Sequence, residues 1–233
     1  MSPAAIPLAE RLNRDCHCIG TDVDKLRARI ELGLAERGLT RPIIASHPHL
    51  FSSLPVFVAQ THVSAMQRIV TAIESVIATP QWHESVLADA PAIARHDQRA
   101  HGVFMGYDFH IGEHGPQLIE INTNAGGAYL NATLGQVQRA CCPEVRDWVT
   151  TPANMQLIDD HLFAMFSNEW TLARGAAPLK RIAIVDTAPA SQYLYPEFLI
   201  AQQVFMQRGI AAVVADPSQF SLRSGKLECD GDP

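Results

Sequence analysis

Lysine is nearly absent from this sequence. Lys25, Lys180 and Lys226 are the whole supply in 233 residues, and Ser224-Gly225-Lys226 lacks the upstream glycine and the following Ser or Thr that a phosphate-binding P-loop requires. No Gly-x-Gly-x-x-Gly follows a strand-like run, which argues against a Rossmann dinucleotide site, and neither Gly-x-Ser-x-Gly nor His-Glu-x-x-His occurs to support a hydrolase. Basic residues do not cluster and the net charge is −6, so no nucleic-acid partner is expected. No apolar run approaches the roughly 20 residues that span a bilayer. The opening Met-Ser-Pro-Ala-Ala-Ile-Pro-Leu-Ala-Glu also lacks the charged and apolar regions of a secretory signal, so the expectation is a cytoplasmic protein without a membrane partner. The five cysteines are an odd number and do not form a disulfide framework. Cys16-His17-Cys18 lacks a well-spaced second pair, because Cys141 and Cys142 are adjacent, and reduced thiols are the better reading.

With 47% apolar and 18% charged residues, the chain can bury the core of one or two domains. Val23, Leu26, Ile30 and Leu34 make one helical stripe, capped by Thr21 or Asp22 and stopped at Gly38. His47-Pro48-His49 reads as a polar turn fixed by proline, with a metal or catalytic role as the alternative. Residues 54–59 read as a short strand or extended segment, and Thr61 caps a second helix whose stripe of Val63, Met66, Ile69, Ile73 and Val76 runs until Pro80 closes it. A looser helix from Gln81 to Ala88 follows. Helices are also expected from Ala128 to Cys142 and from Ala153 to Leu172, the second burying Ile158, Leu162, Met165, Phe166 and Trp170. Beyond Pro178 the pattern changes to strand 181–186, helix 195–208 and strand 211–216, a βαβ unit. The expected class is α/β: an α+β N-terminal segment over 1–175 with a hairpin, then the start of an α/β substrate-binding domain over 178–233. The terminal Asp230-Gly231-Asp232 turn signal, with no strand after it, predicts an incomplete fold and a truncated chain.

The organising stretch is Gly102 to Ala128. Two apolar runs, Val103 to Ile111 and Gln117 to Asn122, flank Gly112-Glu113-His114-Gly115-Pro116 and predict a β-hairpin. Alternation puts Ile119 and Ile121 on one face, and Leu118, Glu120 and Asn122 on the other. A turn symmetric about His114 sets Asp108 opposite Glu120, on the face of Asn122 and His110. Two facing carboxylates repel, so a cation between them is the natural reason to keep them. Mg²⁺ suits hard oxygen ligands such as Glu120 and Asn122, and it shares its shell with substrate phosphates and water. A polar outer face on an edge strand is the plainer alternative. The loop Asn124-Ala125-Gly126-Gly127 offers backbone N–H groups to an anion, and a helix starting just after it aims the positive end of its dipole the same way. At the carboxyl end of the βαβ unit, where ligands gather in open α/β sheets, Asp186, Ser191 and Gln192 are candidates, against the alternative that the aspartate caps or turns the chain.

Tyr107-Asp108-Phe109 followed by Leu118-Ile119-Glu120-Ile121-Asn122-Thr123 resembles the ATP-grasp ligases. It is most similar to their circularly permuted branch, which includes eukaryotic-type glutathione synthetase. The resemblance implies an ATP-grasp-like fold with ATP and Mg²⁺ as cofactors. By it, Glu120 and Asn122 match metal-ligand positions, Ile119 and Glu120 lie at the nucleotide, and Asp108, Asn124, Ala125, Gly126 and Gly127 face substrate. Where that family has Ser-rich residues after Glu-Ile-Asn-Thr, this chain has Asn124-Ala125-Gly126-Gly127, and Gly106 stands where the family has an arginine. The expected activity is an ATP-dependent carboxylate–amine ligase that works through an acyl-phosphate. Its partners are a small-molecule carboxylate and an amine, and a homodimer is compatible with it. The alternative is a noncatalytic ATP-grasp-like module that binds nucleotide and metal, in keeping with the few lysines.

Overall fold

The computed structural model describes residues 7–15, 23–39, 42–52, 54–137 and 155–230. Cys16-His17-Cys18, the Thr21 or Asp22 cap, Cys141-Cys142, residues 138–142 of the expected helix and Gly231-Asp232 lie outside them. The fold is mixed α/β. In chain order it comprises α1 (Leu8–Asp15), α2 (Val23–Glu36), α3 (Ile43–Ser46), α4 (Gln60–Ile77), α5 (Pro80–Leu87), β1 (Gly106–Gly112), β2 (Gly115–Asn122) and α6 (Ala128–Val137). Then come α7 (Met155–Arg174), β3 (Arg181–Val185), α8 (Tyr195–Met206), β4 (Ala211–Ala215), β5 (Phe220–Arg223) and β6 (Lys226–Cys229). The strands form three two-stranded sheets: the antiparallel hairpins β1–β2 and β5–β6, and the parallel pair β3–β4. Among the described residues no helix is long and apolar enough to cross a membrane.

The chain groups into two compact units, Met1–Cys16 with Val56–Ala125, and His17–Pro55 with Gly126–Pro233. The boundary expected at 175–178 falls inside the second. That turn is real, with Gly175 at positive φ, but the apolar stripes on either side of it meet in one core.

In the first unit, α4 packs against both strands of the β1–β2 hairpin. The helix begins at Gln60, one residue before the expected cap Thr61, and its actual N-cap, Ala59, makes no side-chain hydrogen bond. Pro80 does not so much end α4 as open α5. It occupies the first helical turn, where its missing N–H is no loss, and Thr79 Oγ1 accepts the Trp82 N–H at 3.3 Å. Of the two readings of residues 54–59, the strand does not form, and Ala59 at the end of the segment is extended. Val56 is 79% exposed, and in place of a partner strand the Asn13 amide brackets Phe57, its Oδ1 accepting the Phe57 N–H at 2.6 Å and its Nδ2 donating to the Phe57 carbonyl at 2.9 Å.

In the second unit, α2, α6 and α8 share a core of Ile30, Leu34, Leu39, Tyr129, Leu130, Ile200 and Val204. Gly38 ends α2 as the sequence predicts, and the reason is geometric. At φ +85° it lets the Leu39 N–H reach back to the Leu34 carbonyl while its own N–H bonds Ala35, a Schellman cap that turns Leu39 into the core. Gly209 closes α8 in the same way, with Ile210 turned inward. On α7, Leu162 and Phe163 pack against this core, whereas Met165, expected to be buried, is 39% exposed. One ion pair is enclosed: Arg37 Nη1 donates to Asp159 Oδ1 at 2.9 Å, with both side chains almost wholly buried. The other two guanidinium nitrogens, Nε and Nη2, are buried without a hydrogen-bond partner among the described residues.

Candidate functional site

The hairpin does set Asp108 opposite Glu120, by a route different from the expected one. The turn is the two residues Glu113-His114, which fixes Phe109 against Leu118 and His110 against Gln117. A bulge between Asp108 and Phe109 then leaves Ile119 as the extra residue and brings Glu120 to Asp108, Ile121 to Tyr107 and Asn122 to Gly106. Opposed residues share a face, so Leu118 lies with Ile121, Tyr107 and Phe109 on the half-buried side. The expected alternation, with Leu118 beside Glu120, fails at the bulge. Asp108, His110, Gln117, Glu120 and Asn122 occupy the opposite face, and Ile119 is 67% exposed beside them. The Tyr107 hydroxyl donates to Glu74 of α4 and so fixes the hairpin against the helix.

Both carboxylates are exposed, and among the described residues neither enters an ion pair or a side-chain hydrogen bond. Nor does any group of three or more His, Cys, Asp and Glu side chains there make a metal cage. Two carboxylates and an amide oxygen fit the donor chemistry of Mg²⁺, which takes few protein ligands and completes its shell with phosphate and water. They do not fit a structural zinc site.

Of the loop after β2, Asn124 and Ala125 belong to the first unit, Gly126 and Gly127 to the second. The Ala125 N–H is used by the Phe104 carbonyl at 3.1 Å. The start of α6 is likewise taken, because Glu197 of α8 accepts the Tyr129 N–H at 3.0 Å and the Leu130 N–H at 2.9 Å. The anion expected at this helix start is therefore the protein's own carboxylate, and a ligand anion does not have the site to itself. Glu197 is buried, and burial raises its pKa above the ordinary 4.5 although the N–H groups of Tyr129, Leu130 and Gly127 favour the charged form. A raised carboxyl pKa means stability fully present below 4.5 and lost as pH rises through the higher folded value. Urea unfolding of the wild type should thus gain stability relative to Glu197→Gln as pH falls from neutral towards 4.5; parallel curves would contradict the shift.

At the carboxyl end of β3 the aspartates are occupied with the chain itself. Asp186 Oδ1 accepts the Thr187 N–H at 2.7 Å, and Asp216, just after the neighbouring β4, accepts from the Ser218 hydroxyl at 2.6 Å and from the N–H groups of Ala188 at 2.7 Å and Ser218 at 2.8 Å, which together hold its pKa below the usual carboxylate range. The Gln192 amide donates to the Thr187 carbonyl at 2.7 Å, so it braces this loop. Ser191 is exposed, and among the described residues its hydroxyl has no partner.

Sequence reasoning missed Glu197 and the Arg37–Asp159 pair, since an acid in a helix's first turn and an arginine after a helix are ordinary features. His47 meets Tyr193 edge-on at 5.8 Å between ring centroids. Comparison with protein-family models, curated proteins and solved structures finds no match for this chain. The resemblance to ATP-grasp ligases accordingly rests on the motif residues alone.

Proposed function

We propose that this chain carries the cation-binding strand of an ATP-dependent carboxylate–amine ligase. One observation supports the reading above the others: Asp108, Glu120 and Asn122 share an exposed face, and neither carboxylate is neutralised by a basic side chain among the described residues. Like charges held opposite each other cost stability, and a ligand cation gives them a function. In this reaction an oxygen of the substrate carboxylate attacks the γ-phosphorus of ATP, the bond to the bridging oxygen breaks, and ADP leaves. The amine nitrogen then attacks the acyl carbon and loses a proton as phosphate departs. Mg²⁺, when bound, supplies charge neutralisation at the phosphates. Glu120 and Asn122 would hold it from one strand edge and Asp108 from the other, with Ile119 lying exposed next to the nucleotide.

Mn²⁺ with ATP, followed by electron paramagnetic resonance, tests the reading. The wild type should bind the pair, and Glu120→Gln should weaken binding by about tenfold without lowering the unfolding midpoint, because the side chain is exposed and its loss relieves the repulsion from Asp108. Unchanged affinity in the variant, or no binding by the wild type, would refute it. A noncatalytic binding module is favoured by a separate observation, the Glu197 carboxylate filling the α6 start. Amine-dependent ADP release would exclude that alternative.

A further inference from the structure

We infer that His47 and Tyr193, together with Ser191 and the Gly126 turn, form a recognition site in the second unit for a carboxylate-bearing small molecule. Three segments distant in sequence meet there. Leu50 and Phe51, just after His47, and Leu194, just after Tyr193, all pack on the core cluster that contains Tyr129 and Leu130 of α6, so that core anchors each segment. A Cβ placed on Gly126 would lie 2.8 Å from Leu194 Cδ1, which brings the glycine loop directly against the loop after β3.

The exposed side of this junction is rich in hydrogen-bond donors. Ser46 Oγ lies 2.9 Å from His47 Nδ1; with the hydroxyl donating to Nδ1, or with the ring protonated, Nε2 carries a proton to offer a ligand. Among the described residues, His47 Nε2 and the hydroxyls of Tyr193 and Ser191 have no hydrogen-bond partner. Tyr193 is 52% exposed, and Ser191 and Gly126 are exposed with it. Asp186, Asp216 and Glu197 each accept from backbone N–H groups of their own surroundings. An imidazole nitrogen, two hydroxyls and one aromatic ring suit a carboxylate on a short carbon skeleton. The carboxylate would accept from the donors while the skeleton lies along Tyr193. This assignment rests on the ligase reading in taking the ligand to be the acid substrate. Its test needs neither ATP nor metal, so the two can fail separately.

The test is a titration of isotopically labelled protein with N-acetylglycine, and with N-acetylglycinamide as its uncharged counterpart, monitored by NMR at the histidine rings and backbone amides. The His47 ring and the Gly126 amide should shift and saturate with the carboxylate and not with the amide. Tyr193→Ala, at an exposed position, should weaken binding about fivefold, as should His47→Gln. No shift at His47, equal shifts with both compounds, or undiminished binding by Tyr193→Ala would each overturn the assignment. Should His47→Gln fail to fold, Tyr193→Ala decides alone.

Discussion

Asp159→Leu is expected to destabilise the second unit by about 3–5 kcal/mol, more than any other single change considered, because it strands a charge that cannot leave. Arg37 is 6% exposed, and Asp159 accepts its one hydrogen bond to a charged partner. Its Nε and Nη2 are already unsatisfied, and a guanidinium does not deprotonate at any working pH. Arg37→Met should be milder. Burial raises the Asp159 pKa despite the pull of Arg37, so the orphaned acid can become neutral by taking up a proton. The double variant Arg37→Met with Asp159→Leu, which leaves no buried charge, should recover most of the loss. Urea unfolding of the four proteins checks this order. Equal losses in both single variants, or losses that add in the double, would show that the pair does not behave as an enclosed ion pair.

Glu197→Ala should cost about 2–4 kcal/mol, since it removes the acceptor of two buried backbone N–H groups at the start of α6 and leaves them without water. The loss should show in hydrogen exchange as well as in the unfolding midpoint. The Tyr129 and Leu130 amides should lose protection more than the amides of β3 and β4, if the carboxylate caps this helix rather than merely filling space. Uniform loss of protection across the unit would assign Glu197 a packing role only.

These two sites show where local reading stops. The glycine that ends α2 was legible, because a helix stripe followed by Arg37-Gly38-Leu39 has few other outcomes. The β3–α8–β4 unit was legible too, from two β-branched or small-apolar runs around a helical one. The helix start after the glycine loop was correctly expected to attract an anion, but the anion comes from 67 and 68 positions further along the chain. No spacing rule reaches that far. The candidate face of the hairpin was found for an incomplete reason: symmetry about His114 gave the right partner for Asp108, while the turn is shorter and Ile119 makes up the difference. The choice between strand and extended segment at 54–59 was not legible, because Leu-Pro-Val-Phe-Val has strand composition while an asparagine side chain does the pairing.

That extra residue in β2 makes the hairpin tolerant in one direction and brittle in another. Excising Ile119 would let Glu120 slide into regular pairing with Asp108, so the acidic couple survives its removal, straightened. Slipping β2 by a single residue against β1, with the bulge kept, would instead swing Glu120 and Asn122 round towards α4 and bring Leu118 and Ile121 into water. Relatives of this chain that keep the chemistry can therefore vary the tip, provided that the positions of Gly112 and Gly115 stay paired.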